Sequence, residues 1–233
     1  MSKDARYGYE YIDDCLITIE PQYAFTLYDF HNGEVKAIAG GRGEKTTNMS
    51  TNRATDTVRQ PGSTFKLIAA YSNAVENGAG TGSVVDDSPF MFWDWAPTAW
   101  WGENSTASQP AYYGLVTFRQ AIARSNNIAA ARVNTGWTEN GVDDNFAMAQ
   151  KYGFTSLRDY DDVADGNASD HVGSLCLGSC SVTQLELAAA YGAMANGGVR
   201  YDPIFYTRVL DYEGNILLEE QQTSTVVLKE TSA

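Results

Sequence analysis

The segment that decides the fold reads Arg59-Gln60-Pro61-Gly62-Ser63-Thr64-Phe65-Lys66. Its Pro-Gly turn leads into apolar residues at helical spacing: Leu67, Ala70, Tyr71 and Ala74. This pattern predicts a helix that begins at Ser63 and ends at Asn77, where the following Gly78 is typical of a helix C-terminus. Because Ser63 and Lys66 are three residues apart, one face of that helix would carry both side chains.

A serine and a lysine at this spacing form a candidate pair of nucleophile and base. A serine hydroxyl is a weak nucleophile until a neighbouring base takes its proton. A lysine is such a base only where its surroundings favour the neutral amine, well below the reference pKa of about 10.4. The competing interpretation is an N-cap serine followed by a surface lysine, since a bare S-x-x-K arises about once by chance in a chain this long.

A second polar turn, Ser125-Asn126-Asn127, follows the stretch 119–124. Ser125 can relay a proton between Lys66 and a leaving group. The Asn127 amide both donates and accepts, so it can hold Lys66 and a substrate carbonyl together. Taken alone, the same three residues are also typical of a polar turn between two helices.

Together these segments resemble the transpeptidase domain of penicillin-binding proteins, most closely the class A, bifunctional kind. Residues 52–55 and 59–66 are similar to the family's first motif and the approach to it. Residues 114–121, followed by Ser125-Asn126-Asn127, are similar to its second motif. Residues 182–191 with the turn at 196–198 are similar to a later helix and turn. The resemblance covers about residues 16–218, in the family's order.

The resemblance implies a serine acyltransferase, a D,D-transpeptidase, with Ser63, Lys66 and Ser125 as catalytic residues and Asn127 binding substrate. A neutral Lys66 would take the proton of Ser63, which attacks a peptidoglycan stem peptide ending in D-Ala-D-Ala. Ser125 would pass a proton to the leaving D-alanine. An amine of a neighbouring stem peptide would then resolve the acyl-enzyme and form the cross-link. β-Lactam antibiotics would acylate Ser63 as substrate mimics.

The family's third motif, K-T-G, is absent from the sequence. The nearest strings are Lys45-Thr46-Thr47 and Lys229-Glu230-Thr231, and neither contains the glycine. In the family this motif lies on a sheet strand downstream of a segment like 182–218, so the resemblance implies a domain truncated before it. We therefore expect the C-terminal sheet strands to be missing, and the chain either to be inactive alone or to receive them from a second polypeptide.

The remaining patterns predict an α+β fold, in which helices pack beside an antiparallel sheet as in penicillin-binding proteins and β-lactamases. Strands at 23–29 and 34–39 are joined by an Asn-Gly hairpin signal, and a second hairpin joins 204–211 to 215–219. Residues 86–113 read as a long irregular segment that holds most of the tryptophans. That segment either lines the mouth of a peptide or glycan groove or packs onto the domain.

Without its downstream partner strands, the first hairpin would expose an open edge and an uncovered apolar face. The chain alone is therefore expected to be marginally folded, to aggregate, or to pair this edge with another chain. Its two capping boxes are local signals that do not depend on those strands. Thr117 with Gln120, and Thr183 with Glu186, each predict the start of a helix.

Composition indicates one globular unit. The 233 residues are 43% hydrophobic, enough for a single core, so we expect 1–233 to be part of one domain with no second domain. The formal net charge of −13 argues against nucleic acid as a partner. Arg53 and Arg59 are candidates for a local positive patch near the nucleophile, or else solvated side chains.

No run of 18 or more apolar residues and no signal-peptide pattern occurs in the sequence. The resemblance implies a location on the extracytoplasmic face of the bacterial cell membrane, with the anchor outside this chain. No cofactor is expected, and the two histidines, His31 and His171, lack a recognisable metal-ligand spacing.

The cysteine count is odd: Cys15, Cys176 and Cys180. Cys176 and Cys180 are a candidate pair for a disulfide, and the alternative is three free, mostly buried thiols.

Three other functions stay open on the sequence alone. A D-Ala-D-Ala carboxypeptidase would use the same residues with water as acceptor. A β-lactamase needs a further base to hydrolyse the acyl-enzyme, and no clear carboxylate motif for it follows Ser125. A non-catalytic penicillin-binding or sensor module, or an inactive fragment, is favoured for this polypeptide by the missing K-T-G.

Overall fold

The computed structural model describes residues 2–4, 9–11, 22–45, 48–89, 112–162 and 169–233. The expected extended segment at 16–20, Cys15 and the tryptophan-rich residues 90–111 lie outside the described residues. In the described part the longer helices are α1 (Ser72–Glu76), α2 (Phe118–Ala123), α3 (Asn127–Gly136), α4 (Val142–Lys151) and α5 (Gln184–Ala195). Shorter turns of 3₁₀ helix lie at Gly62–Thr64, Tyr160–Asp162 and Gly173–Leu177.

The described strands form five antiparallel pairs. They are β1 (Ser2–Asp4) with β2 (Tyr9–Tyr11), β3 (Phe25–Tyr28) with β4 (Val35–Ala39), β5 (Val84–Asp87) with β6 (Gly114–Thr117), β7 (Val199–Tyr201) with β10 (Ser224–Val226), and β8 (Arg208–Leu210) with β9 (Ile216–Glu219). The predicted mixture of helices and antiparallel strands is confirmed. The described strands form two-stranded ladders, and a bridge between Glu34, next to β4, and Ile204 connects the first hairpin to the segment that precedes β8.

The first hairpin is confirmed. Gly33 adopts a φ of +76° in the turn, and a Cβ there would lie 2.5 Å from the Asp202 carbonyl oxygen. Glycine is therefore needed for both the backbone conformation and the close approach. On the strands, Phe25 and Leu27 are each about half exposed. The apolar face expected to lie uncovered is thus exposed in the structure.

The helix predicted from Ser63 to Asn77 is present but is not a regular α-helix. A 3₁₀ turn at Gly62–Thr64 is followed by a π-helical segment, Leu67–Tyr71, and only then by α1. Four of the five residues of the π-helical segment are buried. Tertiary packing, rather than local propensity, therefore determines its geometry. The expected end at Asn77 is confirmed, with Gly78 at a φ of +95°.

Strands β5 and β6 were not predicted, because Asp86 and Asp87 read as the start of a loop. In the structure Val85 pairs with Val116, and both are buried. The Asp87 carboxylate is fully buried and accepts a hydrogen bond from the backbone N–H of Tyr113 at 2.8 Å. This pairing joins residues about thirty positions apart, and a contact over that separation cannot be predicted from a local sequence pattern.

Both capping boxes are confirmed. Thr117 and Gln120 cap α2 reciprocally, and Thr183 and Glu186 do the same for α5. The second hairpin is also present, but its strands are shorter than the predicted 204–211 and 215–219. Among the helices of the described ranges, none combines the length and the apolar character needed to cross a bilayer.

The core surrounds the helix that carries Ser63 and Lys66. Phe65 and Ile68 are completely buried, as are the facing Ala129 and Ala130 of α3. Tyr71 packs edge-to-face against the ring of Phe118, which in turn meets Trp137. The helix is buried from Phe65 to Ala74 apart from the half-buried Leu67, whereas Ser63 and Thr64 in its first turn are exposed. This places Ser63 at an exposed end of a rigid element.

Candidate active site

Ser63 lies in the exposed first turn of the buried helix, and its neighbours fix that turn. Gly62 has a φ of +58°, a left-handed conformation that favours glycine. The Thr64 hydroxyl donates to the Pro61 carbonyl at 2.7 Å. From α5, the Tyr191 hydroxyl donates to the Thr64 carbonyl at 2.6 Å. The backbone on both sides of Ser63 is thereby held in place.

A loop distant in sequence supports the same turn. The backbone N–H of Gly62 donates to the Gly178 carbonyl at 3.3 Å, and the Gln60 side chain donates to the Ser179 carbonyl at 3.1 Å. Gly178 has a φ of +73°, and a Cβ there would lie 2.1 Å from the Gly62 carbonyl oxygen. Only glycine allows this contact. Sequence analysis did not single out Gly178 or Tyr191.

Lys66 points inward and is only 4% exposed. Its Nζ donates to the Ser125 carbonyl at 2.6 Å and to Asn127 Oδ1 at 2.5 Å. The Ser125 hydroxyl oxygen lies 3.0 Å from the same nitrogen. The predicted base and the predicted second motif are therefore in direct contact, although about sixty residues separate them.

Burial lowers the pKa of the Lys66 amine to about 8. The Cys176 thiol is within electrostatic reach and would raise that pKa if it were ionised. However, burial raises the pKa of Cys176 itself to about 12, so near neutral pH the thiol carries no charge. In the described part of the chain no carboxylate forms an ion pair with Lys66. The amine is thus buried without a counter-ion among the described residues, which favours its neutral form.

The end of α2 explains how Ser125 reaches Lys66. The N–H of Asn126 donates to the Ala121 carbonyl at 2.8 Å, and the N–H of Ser125 donates to the Ile122 carbonyl at 3.0 Å. These two bonds form a Schellman motif, whose left-handed position is usually glycine. Ser125 occupies that position with a φ of +53°, at a cost of about 1–2 kcal/mol. Strain of this kind is typical of functional sites.

Asn126 and Asn127 begin the next helix, and their side chains face different partners. Asn126 is the N-cap of α3, and its side chain accepts a hydrogen bond from the Ala129 N–H. Asn127 is the first residue of α3 and directs its amide oxygen to Lys66. The interpretation as a polar turn between helices is therefore also correct. One short turn both connects α2 to α3 and presents two side chains to the amine.

Ser63 differs from Ser125 and Asn127 in that the structure shows no hydrogen bond between its side chain and Lys66. Within the described residues its hydroxyl has no hydrogen-bond partner, and the Lys66 amine bonds to the second motif instead. Catalytic hydrogen bonds are often long without substrate and shorten when it binds. Chemically, a neutral Lys66 would use its two N–H bonds on the Ser125 carbonyl and the Asn127 amide oxygen. Its lone pair would then be left to accept a proton from a hydroxyl group.

Other predicted residues lie near this site. Arg53 and Arg59 both line a cavity of about 420 Å³ that also includes Gln60 and Pro61, so the two candidates for a positive patch lie together next to the turn that carries Ser63, called the nucleophile turn below for its predicted role. Cys176 and Cys180 are both free and buried, so they form no disulfide in the structure. Sequence analysis did not place Cys176 beside Lys66, since no local pattern links the two positions.

A family model described as the penicillin binding protein transpeptidase domain matches residues 23–233. The chain is 32% identical over 228 residues to penicillin-binding protein 1A of Clostridium tetani, covering 92% of the chain and 27% of that protein. It is 30% identical over 208 residues to penicillin-binding protein 1A of Escherichia coli, covering 89% of the chain and 21% of that protein. The chain therefore spans about a quarter of the length of these relatives.

Solved structures agree on the fold. Penicillin-binding protein 1A from Haemophilus influenzae matches with a TM-score of 0.69 and 26% identity, covering 88% of the chain and 28% of that structure. The penicillin-binding protein PonA1 from Mycobacterium tuberculosis matches with a TM-score of 0.72 and 22% identity, covering 91% and 53%, and shows the shared fold. Because the family model covers most of the chain, and the site geometry joins its first two motifs, the chain belongs to the transpeptidase domain family of penicillin-binding proteins.

Proposed function

We propose that this chain carries the nucleophile and base of a D,D-transpeptidase that cross-links peptidoglycan stem peptides ending in D-Ala-D-Ala. The observation that supports it best is the Lys66 amine, which is buried, lacks a carboxylate partner in the described residues, and is held by Ser125 and Asn127. Such an amine is a base near neutral pH. A surface lysine, the competing interpretation, would be exposed and protonated.

The proposed reaction begins when the neutral Lys66 amine takes the proton of Ser63. Ser63 Oγ then attacks the carbonyl carbon of the penultimate D-alanine, and the carbonyl oxygen becomes an oxyanion. The backbone N–H of Ser63 would supply one hydrogen bond to that oxyanion. The Asn127 amide would orient the donor peptide through its carbonyl.

Collapse of the tetrahedral intermediate breaks the bond to the terminal D-alanine. Lys66 returns its proton through the Ser125 hydroxyl, 3.0 Å away, to the leaving amine. An amine of a second stem peptide then attacks the acyl-serine, and Lys66 takes its proton in the same way. The ester bond to Ser63 Oγ breaks, and Lys66 returns that proton to the serine oxygen, which restores the free hydroxyl. A β-lactam would enter the first half of this sequence and remain bound to Ser63.

We also propose that further strands complete this site. The half-exposed Phe25 and Leu27 of the first hairpin are an apolar surface that strands can cover. The strands would come from further residues of the same polypeptide or from a second polypeptide. They would bring the K-T-G motif and the second oxyanion donor. The chain with these strands is called the completed domain below; the chain alone is expected to be inactive.

We propose that residues 1–233 are part of one transpeptidase domain. The completed domain would lie on the extracytoplasmic face of the cell membrane, where its substrate lies. A β-lactamase is disfavoured because it needs an additional base for deacylation. Within the described residues, no carboxylate forms a hydrogen bond with Lys66 or with the Ser125 hydroxyl. A carboxypeptidase would share every residue named here and differ only in its acceptor, so product analysis separates the two.

Mass spectrometry of the completed domain after treatment with benzylpenicillin tests this function. We expect one penicillin adduct per chain, on the peptide that contains Ser63. The Ser63→Ala variant should show none, while Ser224→Ala, which removes an exposed serine hydroxyl from β10, should label normally. Label that persists on Ser63→Ala would defeat the assignment. Full labelling of the 233-residue chain alone would defeat the proposed need for completing strands.

A further inference from the structure

We propose that a basic cleft beside the nucleophile turn binds the carboxylates of a substrate peptide strand. The basic cleft is the cavity of about 420 Å³ whose lining includes Tyr23, Arg53, Arg59, Gln60, Pro61 and Leu187. This inference rests on the proposed transpeptidase function and adds to it a recognition site for the peptide. It concerns a surface that the catalytic steps above do not use.

The charge of the basic cleft is opposite to that of the protein. The chain has a formal net charge of −13, yet two guanidinium groups, of Arg53 and Arg59, line this cavity. An adjoining pocket shares Arg53 and adds Arg42 and Lys45, with Glu44 as its carboxylate. In the described part of the chain none of these four cations forms an ion pair. A local excess of positive charge among the described lining residues attracts anionic groups despite the net charge.

Arg53 is held in position before any ligand binds. Its Nη1 donates to the Gly40 carbonyl at 3.2 Å, and its backbone N–H donates to the same oxygen at 3.1 Å. A Cβ on Gly41 would lie 2.8 Å from that Nη1, so the missing side chain makes room for the guanidinium. A fixed guanidinium can present two parallel N–H groups to a carboxylate.

Arg59 is held by a different device. Its backbone forms an antiparallel bridge with Val182, with hydrogen bonds of 2.9 and 3.0 Å. Its Nη1 donates to the Val58 carbonyl at 3.1 Å. The basic cleft continues through Gln60 to Pro61, two residues before Ser63. Two residues span at most about 7 Å, so the Pro61 end of the cleft lies within about 7 Å of the Ser63 backbone.

The lining fits a short anionic peptide. Tyr23, Pro61 and Leu187 provide apolar walls, and the Gln60 amide oxygen can accept a hydrogen bond from a peptide N–H while its nitrogen donates to the Ser179 carbonyl. The volume lies in the range of small-ligand sites and holds a few residues. A concave site with amide groups suits a peptide strand better than the flat surface of an anionic membrane.

Peptide binding to the completed domain tests the inference. The probe is a synthetic pentapeptide ending in D-Ala-D-Ala with free carboxylates, compared with a twin whose side-chain carboxylates are amidated. We expect the carboxylate form to bind roughly five- to tenfold more tightly, a modest ratio because both guanidinium groups are partly solvated. The double variant Arg53→Gln/Arg59→Gln should reduce the ratio to about one. Arg208→Gln, which removes the same charge from β8, should leave it unchanged.

A second variant separates position from charge. Gly41→Ala keeps every charge but displaces the Arg53 guanidinium, so the ratio should fall about twofold or more. A ratio that survives in the double variant, or a ratio of one in the unmodified protein, would overturn the inference. Arginine-dependent binding to phosphatidylglycerol vesicles without a peptide ratio would overturn it as well, in favour of a lipid surface.

The basic cleft and the proposed function can fail separately. Ser63→Ala should retain the ratio of the affinities for the carboxylate and amidated peptides, called the peptide ratio here, because binding does not need the nucleophile. A retained ratio with no penicillin adduct on Ser63 would support the cleft and defeat the transpeptidase. A normal adduct with a peptide ratio of one would defeat the cleft alone.

Discussion

Replacing Lys66 with arginine should slow acylation of Ser63 by penicillin at least about a thousandfold at pH 7.5. The guanidinium keeps its proton at any pH that the protein survives, so it cannot act as a base. General-base catalysis by a positioned group contributes about 10²–10⁴-fold, and the Lys66 amine is the only group proposed for that step. The rate constant for adduct formation in the completed domain, followed by mass spectrometry, is the measurement.

Two further variants make this result specific. Lys66→Met removes the charge as well and should be equally slow, so the loss cannot be ascribed to the bulk of arginine. Lys151→Arg is the control. The Lys151 amine donates a hydrogen bond to the Val227 carbonyl, and no residue proposed for the reaction takes part in that contact. Acylation of Lys66→Met within tenfold of the unmodified rate would show that another group takes the proton.

Replacing Gly178 with alanine should destabilise the protein by more than about 3 kcal/mol and abolish acylation. The new Cβ would meet the carbonyl oxygen of Gly62 at 2.1 Å and its nitrogen at 2.5 Å, and both are backbone atoms. Left-handed backbone adds about 1–2 kcal/mol for a residue other than glycine. Relief of the clash requires the 173–179 loop or the Ser63 turn to move. The free energy of unfolding in urea and the rate of penicillin labelling are the measurements.

Gly214 offers a matched control for this substitution. It has a φ of +86°, similar to that of Gly178, but a Cβ there meets nothing within 4 Å. Gly214→Ala should therefore cost only the backbone strain, about 1–2 kcal/mol, and leave labelling intact. Equal stability of the two alanine variants would refute the idea that the 173–179 loop holds the nucleophile turn by close packing.

Local patterns predicted much of the fold. The Asn-Gly signal located the first hairpin, and two capping boxes located the starts of α2 and α5, because each rests on hydrogen bonds between residues at most five apart. The helix with Ser63 and Lys66 was located by its apolar spacing. Its π-helical segment was missed, since burial against α3 and α4 rather than local propensity sets that geometry.

The second motif predicted where a turn lies but not the backbone conformation of that turn. The pattern Ser125-Asn126-Asn127 indicated a turn near Lys66. The left-handed conformation of Ser125 could not be read from it, because glycine usually fills that position in a Schellman motif. A serine in place of that glycine after α2 is the signal that would have revealed the strain.

Long-range contacts account for the rest. Gly178 meets Gly62, and Cys176 lies within electrostatic reach of Lys66, over sequence separations of more than one hundred residues. Strand β5 pairs with β6 across the segment expected to be irregular. Periodicity and capping rules do not predict such contacts, because the contacts arise only when the folded core brings distant segments together.

The pH dependence of Ser63 acylation tests the central claim most directly. Burial lowers the pKa of Lys66 to about 8, so below that pH most molecules hold a protonated amine that cannot accept the serine proton. The rate constant for penicillin labelling of the completed domain should rise about tenfold per pH unit from pH 6 and level off above about pH 8. A rate that is flat across this range, or the same rise in Lys66→Arg, would contradict the assignment of Lys66 as the base.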